Sequence, residues 1–151
     1  MNNGRMSFKK LLKGIVLSQL LFAAPTFADR LSAIGIGVAD LEVSSEFYQY
    51  ILGLKVLRIY ELGYLNEIVL GYEHDDGAVL VLMNWPEQDR QYDGGNSKIV
   101  FDVDDAVAVI SRIRERGGVI DREALPIEAL KGAIIGLGRD PDQYVVEVIQ
   151  R

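Results

Sequence analysis

The stretches IGIGVAD (34–40) and IVFDVDD (99–105) are two versions of one segment. Each contains an apolar strand-like run that ends in aspartate, and each is followed by a helical pattern and then by a glycine, Gly53 or Gly118. The matching positions always lie 65 residues apart. A single offset that links two strand–helix–glycine segments predicts a duplicated structural module.

The first 28 residues have the pattern of a secretory signal peptide. Four basic residues precede an apolar run of 11 residues (14–24), and a small residue, Ala28, suits cleavage. The run is short for a membrane span. We therefore expect cleavage near Ala28, a periplasmic or secreted protein, and no stable membrane insertion afterwards. An uncleaved N-terminal anchor is the alternative.

Composition limits the partners of the remaining chain, residues 29–151. Loss of the four basic residues of the leader lowers the formal net charge from −6 to −10. An acidic chain repels nucleic acid and anionic membrane surfaces, so a small molecule or another protein is the expected partner. The absence of cysteine from the sequence excludes disulfides, thiol nucleophiles and thiolate metal sites.

The pattern of elements predicts a single α+β domain made of two tandem βαβββ modules. In the first module (about 31–85), Asp40 is the expected helix N-cap, and a stripe of Val43, Phe47, Tyr48, Ile51 and Leu52 is the expected buried helix face. Strands are expected at 55–60, 67–72 and 78–84, with a turn at 74–77. Residues 86–96 are polar and are interpreted as a linker.

The second module (about 97–150) repeats this order. We expect a strand at 98–103, a helix at 105–116 that stops at Gly117-Gly118, and strands at 119–123, 131–138 and 144–149. The segment DPDQ (140–143) is the expected turn before the last strand. Helices on one face of mostly antiparallel sheets follow from this arrangement.

The chain from Leu31 to Gln150 resembles the vicinal oxygen chelate superfamily, which includes glyoxalase I, extradiol dioxygenases and bleomycin-resistance proteins. The resemblance rests on the motifs VADL (38–41), FY (47–48), LGL (52–54), NW (84–85), DPDQY (140–144) and Glu147. The nearest branch looks like glyoxalase I. It implies that each module curls into a half-barrel and that two modules enclose a pocket, within one chain or between two; we expect a homodimer.

The resemblance also implies four metal-ligand positions, which fall on Ala33, Val81, Lys98 and Glu147. Only Glu147 keeps a ligand side chain, because alanine and valine offer no donor atom and a protonated lysine repels a cation. The single histidine, His74, lies in a predicted turn. We therefore expect no metal and no other cofactor, and glyoxalase I activity is not expected.

Strand alternation then predicts which side chains face the pocket. The first module contributes a small, apolar wall and the second module a more polar one. The predicted pocket residues are Ala33, Gly35, Gly37, Val79, Val81, Met83, Lys98, Val100, Asp102 and Glu147. Val145 and Ile149 should face the same way. An apolar cavity with a few convergent polar groups is typical of small-molecule sites.

Lys98 and Glu147 should approach within ion-pair distance. They are either a binding or acid–base pair with a catalytic role, or a structural ion pair that fills the vacated metal site. Lys131 and Asn84-Trp85 match glutathione-contacting positions of glyoxalase I, with a solvated loop charge and strand-end packing as the respective alternatives. Tyrosines such as Tyr50 and Tyr60 are weaker candidates.

Three functions remain open. The first is an exported, metal-free protein that binds a small, largely apolar molecule between the modules. The second is a metal-independent isomerase or lyase that uses Lys98 and Glu147, and the third is a protein-interaction scaffold with a vestigial pocket. An open apolar cavity beside a solvated pair would favour the binding protein, and a closely buried pair without free volume would favour the scaffold.

Overall fold

The computed structural model describes residues 29–74 and 77–151. The predicted signal peptide, and Asp75 and Asp76 of the predicted turn, lie outside the described residues. Among the helices that are described, none is both long and apolar enough to cross a membrane.

The fold consists of two four-stranded mixed sheets and two helices, as the tandem βαβββ pattern predicts. The first module contains β1 (Ala33–Gly37), α1 (Leu41–Leu52), β2 (Lys55–Glu61), β3 (Asn66–Gly71) and β4 (Val79–Asn84). The second contains β5 (Lys98–Asp102), α2 (Ala106–Glu115), β6 (Ile120–Ile127), a short 3-10 helix (Glu128–Leu130), β7 (Ala133–Arg139) and β8 (Val145–Gln150). The strand orders are β1-β4-β3-β2 and β5-β8-β7-β6, so both modules have the same topology.

Each helix begins at the aspartate that the repeat predicts. The Asp40 carboxylate accepts hydrogen bonds from the N–H groups of Glu42 and Val43, and the Asp105 carboxylate accepts one from Ala108. Val43 departs from the prediction, because its side chain is 51% exposed and lies outside the buried stripe of α1.

The glycines that end the helices differ between the modules. Gly53 has the left-handed conformation expected of a helix cap, but the left-handed residue after α2 is Gly117 and not Gly118. Gly118 meets a packing requirement instead, since a Cβ atom there would lie 2.6 Å from the Arg139 carbonyl oxygen and from Ile113 Cγ2. The 65-residue match therefore pairs two glycines that have different tasks.

Strand β6 runs four residues beyond its predicted end. Beyond residue 123, Leu125 pairs with Ile135 and Pro126 with Ile134. A proline is tolerated here because β6 is an edge strand, where the missing N–H removes no hydrogen bond to a neighbouring strand. The 3-10 helix that follows was not predicted and delays the start of β7 to Ala133.

One hydrophobic core joins the modules. It includes Val38, Tyr48 and Ile51 from the first module and Ile113 and Val148 from the second, all fully or almost fully buried. Each helix packs on its own sheet, and the two helices contact each other. The opposite face of each sheet is therefore left free to form a site.

Candidate functional site

Lys98 and Glu147 form an ion pair on the second sheet. Strands β5 and β8 are parallel with Val100 opposite Glu147, so Lys98 lies diagonally across from Glu147 on the same face. The Lys98 Nζ atom lies 2.5 Å from Glu147 Oε2, which confirms the predicted proximity. The lysine side chain is 56% exposed and the glutamate side chain 13%, so water reaches the pair mainly from the lysine side.

The equivalent place in the first module has no polar side chain. Gly35 lies opposite Val81, so Ala33 lies diagonally across from Val81. The Ala33–Val81 pair therefore repeats the geometry of the Lys98–Glu147 pair. This corner of the first sheet therefore presents only small aliphatic side chains.

The ten predicted pocket residues lie on the sheet faces that the alternation predicts, away from the helices. Leu80 and Leu82 are buried on the helix side of β4, whereas Val79, Val81 and Met83 between and beside them are half-buried on the other side. Several of the ten are exposed to solvent: Ala33, Gly35, Lys98, Val100 and Asp102. Both faces are thus open surfaces in the single chain. Asp102 is also ion-paired, to Arg151.

An apolar hollow lies on the same face of the second sheet as the ion pair, but neither Lys98 nor Glu147 lines it. Its volume is about 690 Å³, and its walls come from the 3-10 helix, the loop after it and the neighbouring strands: Ala129, Leu130, Lys131, Gly132, Ala133, Ile135, Ile149 and Arg151. Ile149 is two residues from Glu147 on the same strand, so both side chains point to the same face. Strand alternation predicts Ile149 on this face, but the hollow could not be predicted, because the 3-10 helix that forms one side of it has no clear sequence signal.

The linker covers one end of the first face. A Cβ atom on Gly37 would lie 2.8 Å from the ring of Tyr92, so this ring rests directly on the Gly37 backbone. The Tyr92 hydroxyl is buried and has no hydrogen-bond partner within the described part of the chain. Gly94 packs against the backbone of Gln143 and Tyr144 in the second module. Residues 86–96, interpreted from the sequence as a polar linker, therefore contact both modules.

The turn at 140–143 holds the modules together through buried carboxylates, a role that was not predicted from the sequence. Asp142 accepts hydrogen bonds of 2.8 Å from the Ala39 N–H and from the Ser44 hydroxyl of the first module. Asp140 accepts bonds of 2.8 Å from the Tyr48 hydroxyl and from the Tyr144 N–H. These distant positions give no local signal, since Ser44 and Asp142 lie 98 residues apart.

Burial changes the ionisation of this turn. Removal from water raises the pKa of Asp140 to about 6, although the hydrogen bonds from Tyr48 and Tyr144 act in the opposite direction. Burial, with the neighbouring Asp140 carboxylate, also raises the pKa of Tyr48 well above its ordinary value. Two separate polar features result. The Lys98–Glu147 pair lies on an open sheet face with its lysine in contact with water, and the Asp140 and Asp142 carboxylates are buried between the modules.

Comparison with known proteins identifies the family. The profile of the Glyoxalase/Bleomycin resistance protein/Dioxygenase superfamily matches residues 30–148. The chain belongs to this superfamily. A lactoylglutathione lyase of Neisseria meningitidis serogroup A is 38% identical over 120 residues, which are 76% of this chain and 85% of the relative.

Solved structures of the superfamily share the fold. Glyoxalase I from Zea mays aligns with a TM-score of 0.70 and 27% identity over 81% of this chain, which spans 44% of the maize chain. The trypanothione-dependent glyoxalase I of Leishmania major aligns with a TM-score of 0.67 and 27% identity, covering 82% of this chain and 87% of the Leishmania one. The chain thus corresponds to less than half of the maize protein and to most of the Leishmania protein.

The residues at the superfamily's metal-ligand positions do not fit a metal ion. Ala33 and Val81 have no donor atom, and the carboxylate of Glu147 is already neutralised by Lys98. Throughout residues 29–74 and 77–151, no three His, Asp or Glu side chains cluster closely enough to hold a metal. The His74 side chain is 91% exposed and lies 3.9 Å from Glu73.

The weaker candidates have mostly structural contacts. The Asn84 side-chain amide donates to the carbonyl oxygens of Val38 and Ala39, which ties the end of β4 to the end of β1. Tyr50 donates to Glu115 on α2. Lys131 differs from these, because it has a left-handed conformation at the end of the 3-10 helix and lines the apolar hollow.

Proposed function

We propose that this chain is a metal-free member of the superfamily that binds a small, largely apolar molecule. The observation that carries the proposal is the apolar hollow of about 690 Å³ on the same sheet face as the Lys98–Glu147 pair, whose lysine is exposed to water. A concave, mostly apolar surface with a few polar groups at its edge is the usual form of a small-molecule site. The polar pair would orient the ligand, and the hollow would hold its body.

The hollow and the exposure of Lys98 favour a binding protein over a scaffold. A vestigial pocket would be filled by side chains, and its residual ion pair would be dry. Here the lysine is 56% exposed, and an open volume begins at Ile149, two residues along β8 from its partner Glu147. The substituted metal-ligand positions argue against the lactoylglutathione lyase reaction named for the relatives, which in this superfamily would require a bound metal.

We propose that a second copy of the chain covers the site. Large apolar side chains are exposed on the two pocket faces, including Leu57 at 42%, Val100 at 46% and Leu125 at 56%. Exposed apolar surface of this kind marks an interaction site. A homodimer that covers these faces would enclose the ligand between modules of different chains.

The proposed location of the mature protein is the periplasm or the extracellular space. The leader pattern of residues 1–28 supports cleavage near Ala28 and a periplasmic or secreted mature protein. N-terminal sequencing of protein from the extracytoplasmic fraction should begin at Asp29. Recovery of the intact leader in the membrane fraction would contradict this.

A neutral fluorescent probe tests the binding function. N-phenyl-1-naphthylamine, an uncharged molecule of two aromatic systems, should bind the purified protein and gain fluorescence. Leu130→Lys places a charge at the wall of the hollow and should abolish this binding, because Leu130 is 53% exposed and its replacement leaves the core intact.

Val107→Lys, at a 57% exposed position on α2, is the matched control and should bind the probe as the wild type does. Equal loss in both variants, or no binding to the wild type, would contradict the proposed site.

A further inference from the structure

Two arginines occupy the same place on the two pocket faces. Cross-strand pairing places Arg58 in a row with Val69, Val81 and Gly35, and Arg122 in a row with Leu137, Glu147 and Val100. Val81 and Glu147 are equivalent positions of the two modules, so the rows are equivalent too. Arg58 and Arg122 are therefore structural counterparts on edge strands β2 and β6.

The same backbone irregularity precedes both arginines. The pairing register shifts between Val56 and Arg58 in β2 and between Ile120 and Arg122 in β6. A β-bulge changes the direction in which the following side chains point, and bulges are common near functional sites. The two rows differ in their other side chains, yet both modules keep the bulge and the arginine.

Neither arginine has a partner within the described part of the chain. Both are exposed, and they form no hydrogen bond or ion pair with any described residue. Other arginines of the second module are engaged: Arg114 with Glu123, and Arg139 with Asp121. A free guanidinium in a chain of net charge −6 has fixed donors available for an anion.

Arg122 lies within reach of a ligand in the hollow. Leu137 separates it from Glu147, so the Arg122 and Glu147 backbones are two strands, or about 10 Å, apart. Ile135 and Ile149 of the hollow lie two residues along the neighbouring strands from Leu137 and Glu147, a distance of about 7 Å. The Arg122 cation, the apolar hollow and the ion pair at Glu147 thus lie next to one another on one sheet face.

We propose that Arg122 is an anion-binding residue at the edge of the hollow and that the ligand is an amphipathic anion. The acidic group of the ligand, a carboxylate or another oxyanion, would bind the guanidinium, and its apolar body would extend over Leu137 to the hollow at Ile135 and Ile149. The inference rests on the proposed function, since it specifies the class of molecule that this site binds. Arg58 offers the corresponding cation on the first face.

Two related probes test the subsite. The anion 8-anilinonaphthalene-1-sulfonate has the same aromatic systems as the neutral N-phenyl-1-naphthylamine and adds a sulfonate. Arg122→Gln should weaken binding of the anion about 10-fold, because one charge-assisted interaction is lost, and should leave binding of the neutral probe unchanged.

Arg114→Gln removes the same charge from the exposed face of α2 and should alter neither affinity. Arg122→Lys keeps the charge and should retain most of the affinity for the anion.

The outcomes separate this inference from the proposed function. If the neutral probe binds the wild type and Arg122→Gln binds the anion as tightly as wild type does, the anion subsite is wrong and the apolar site stands. An equal loss of anion affinity in Arg114→Gln also overturns the subsite, because the effect would then reflect net charge alone. If neither probe binds the wild type, both proposals fail.

Discussion

At Asp140, burial and hydrogen bonding act on the same carboxyl group in opposite directions. Burial prevails and raises its pKa to about 6 from an ordinary value of 3.8. Between pH 3.8 and about 6, the Asp140 carboxyl group is therefore mostly protonated in the folded state and mostly ionised in the unfolded state. The stabilisation from Asp140 is fully present below pH 3.8 and is lost as the pH rises through about 6.

We predict that Asp140→Asn flattens the pH dependence of stability. Between pH 4 and pH 7, the free energy of unfolding of the wild type should fall by up to about 3 kcal/mol more than that of Asp140→Asn. Urea melts at several pH values give this difference. Asp89→Asn, at an exposed position, should follow the wild-type curve. Parallel curves for wild type and Asp140→Asn would show that Asp140 titrates normally.

The Lys98–Glu147 pair should contribute little to stability. Lys98→Met leaves Glu147, which is 13% exposed, without its cation, but water reaches the pair from the lysine side, so the expected cost is about 1 kcal/mol. Lys98→Met with Glu147→Gln removes both charges at similar volume and should recover most of this loss. Denaturant melts of the single and double variants measure both effects. A loss of about 3–5 kcal/mol in Lys98→Met would mean a dry, structural pair.

Among the structural elements, the linker (86–96) packs closely against the backbone of Gln143 and Tyr144. Gly94 and Gly95 both have left-handed backbone conformations, but only Gly94 is packed against backbone atoms. A Cβ atom there would lie 2.3 Å from the Gln143 carbonyl oxygen, whereas the nearest atom at Gly95 is 4.0 Å away.

Alanine substitution at these two glycines tests whether the linker is docked. Both changes should lose stability from the left-handed conformation, and Gly94→Ala should lose about 1–3 kcal/mol more because of the steric overlap. Denaturant melts of the two variants provide the comparison. Equal losses would indicate that the linker does not rest on the 140–143 turn.

Elements with a regular hydrophobic period were predictable from the sequence, and long-range contacts were not. Alternation predicted the pocket faces once the resemblance to glyoxalase I had fixed one position on each strand, because a side-chain period of two is local information. The proximity of Lys98 and Glu147 followed from the resemblance alone. The extension of β6 through Pro126 was missed, since the tolerance for proline depends on the position of the strand at the sheet edge. The hydrogen bonds of Asp142 to the first module depend on how the modules meet, which no local pattern describes.

For the whole molecule, the open pocket faces predict self-association. Val100, 46% exposed on the edge strand β5 of the second face, should be covered in a homodimer. Light scattering coupled to size-exclusion chromatography should give a dimer for the wild type and a monomer for Val100→Lys, with Val107→Lys on α2 as a dimeric control. A monomeric wild type at micromolar concentration would contradict the proposed enclosure of the ligand between two chains.

We propose that this superfamily member has an ion pair in place of a metal centre and still binds a small molecule. Relatives that are 38% identical are named lactoylglutathione lyases. Absence of lactoylglutathione lyase activity in this protein is therefore the strictest test of the proposal. The decisive measurement is the initial rate of lactoylglutathione formation from the methylglyoxal–glutathione adduct, with nickel or zinc added in excess. We predict a rate equal to the uncatalysed background with either metal, because Ala33, Val81 and the paired Glu147 offer no binding site for the ion. A metal-dependent turnover of about 1–10³ per second would contradict the account.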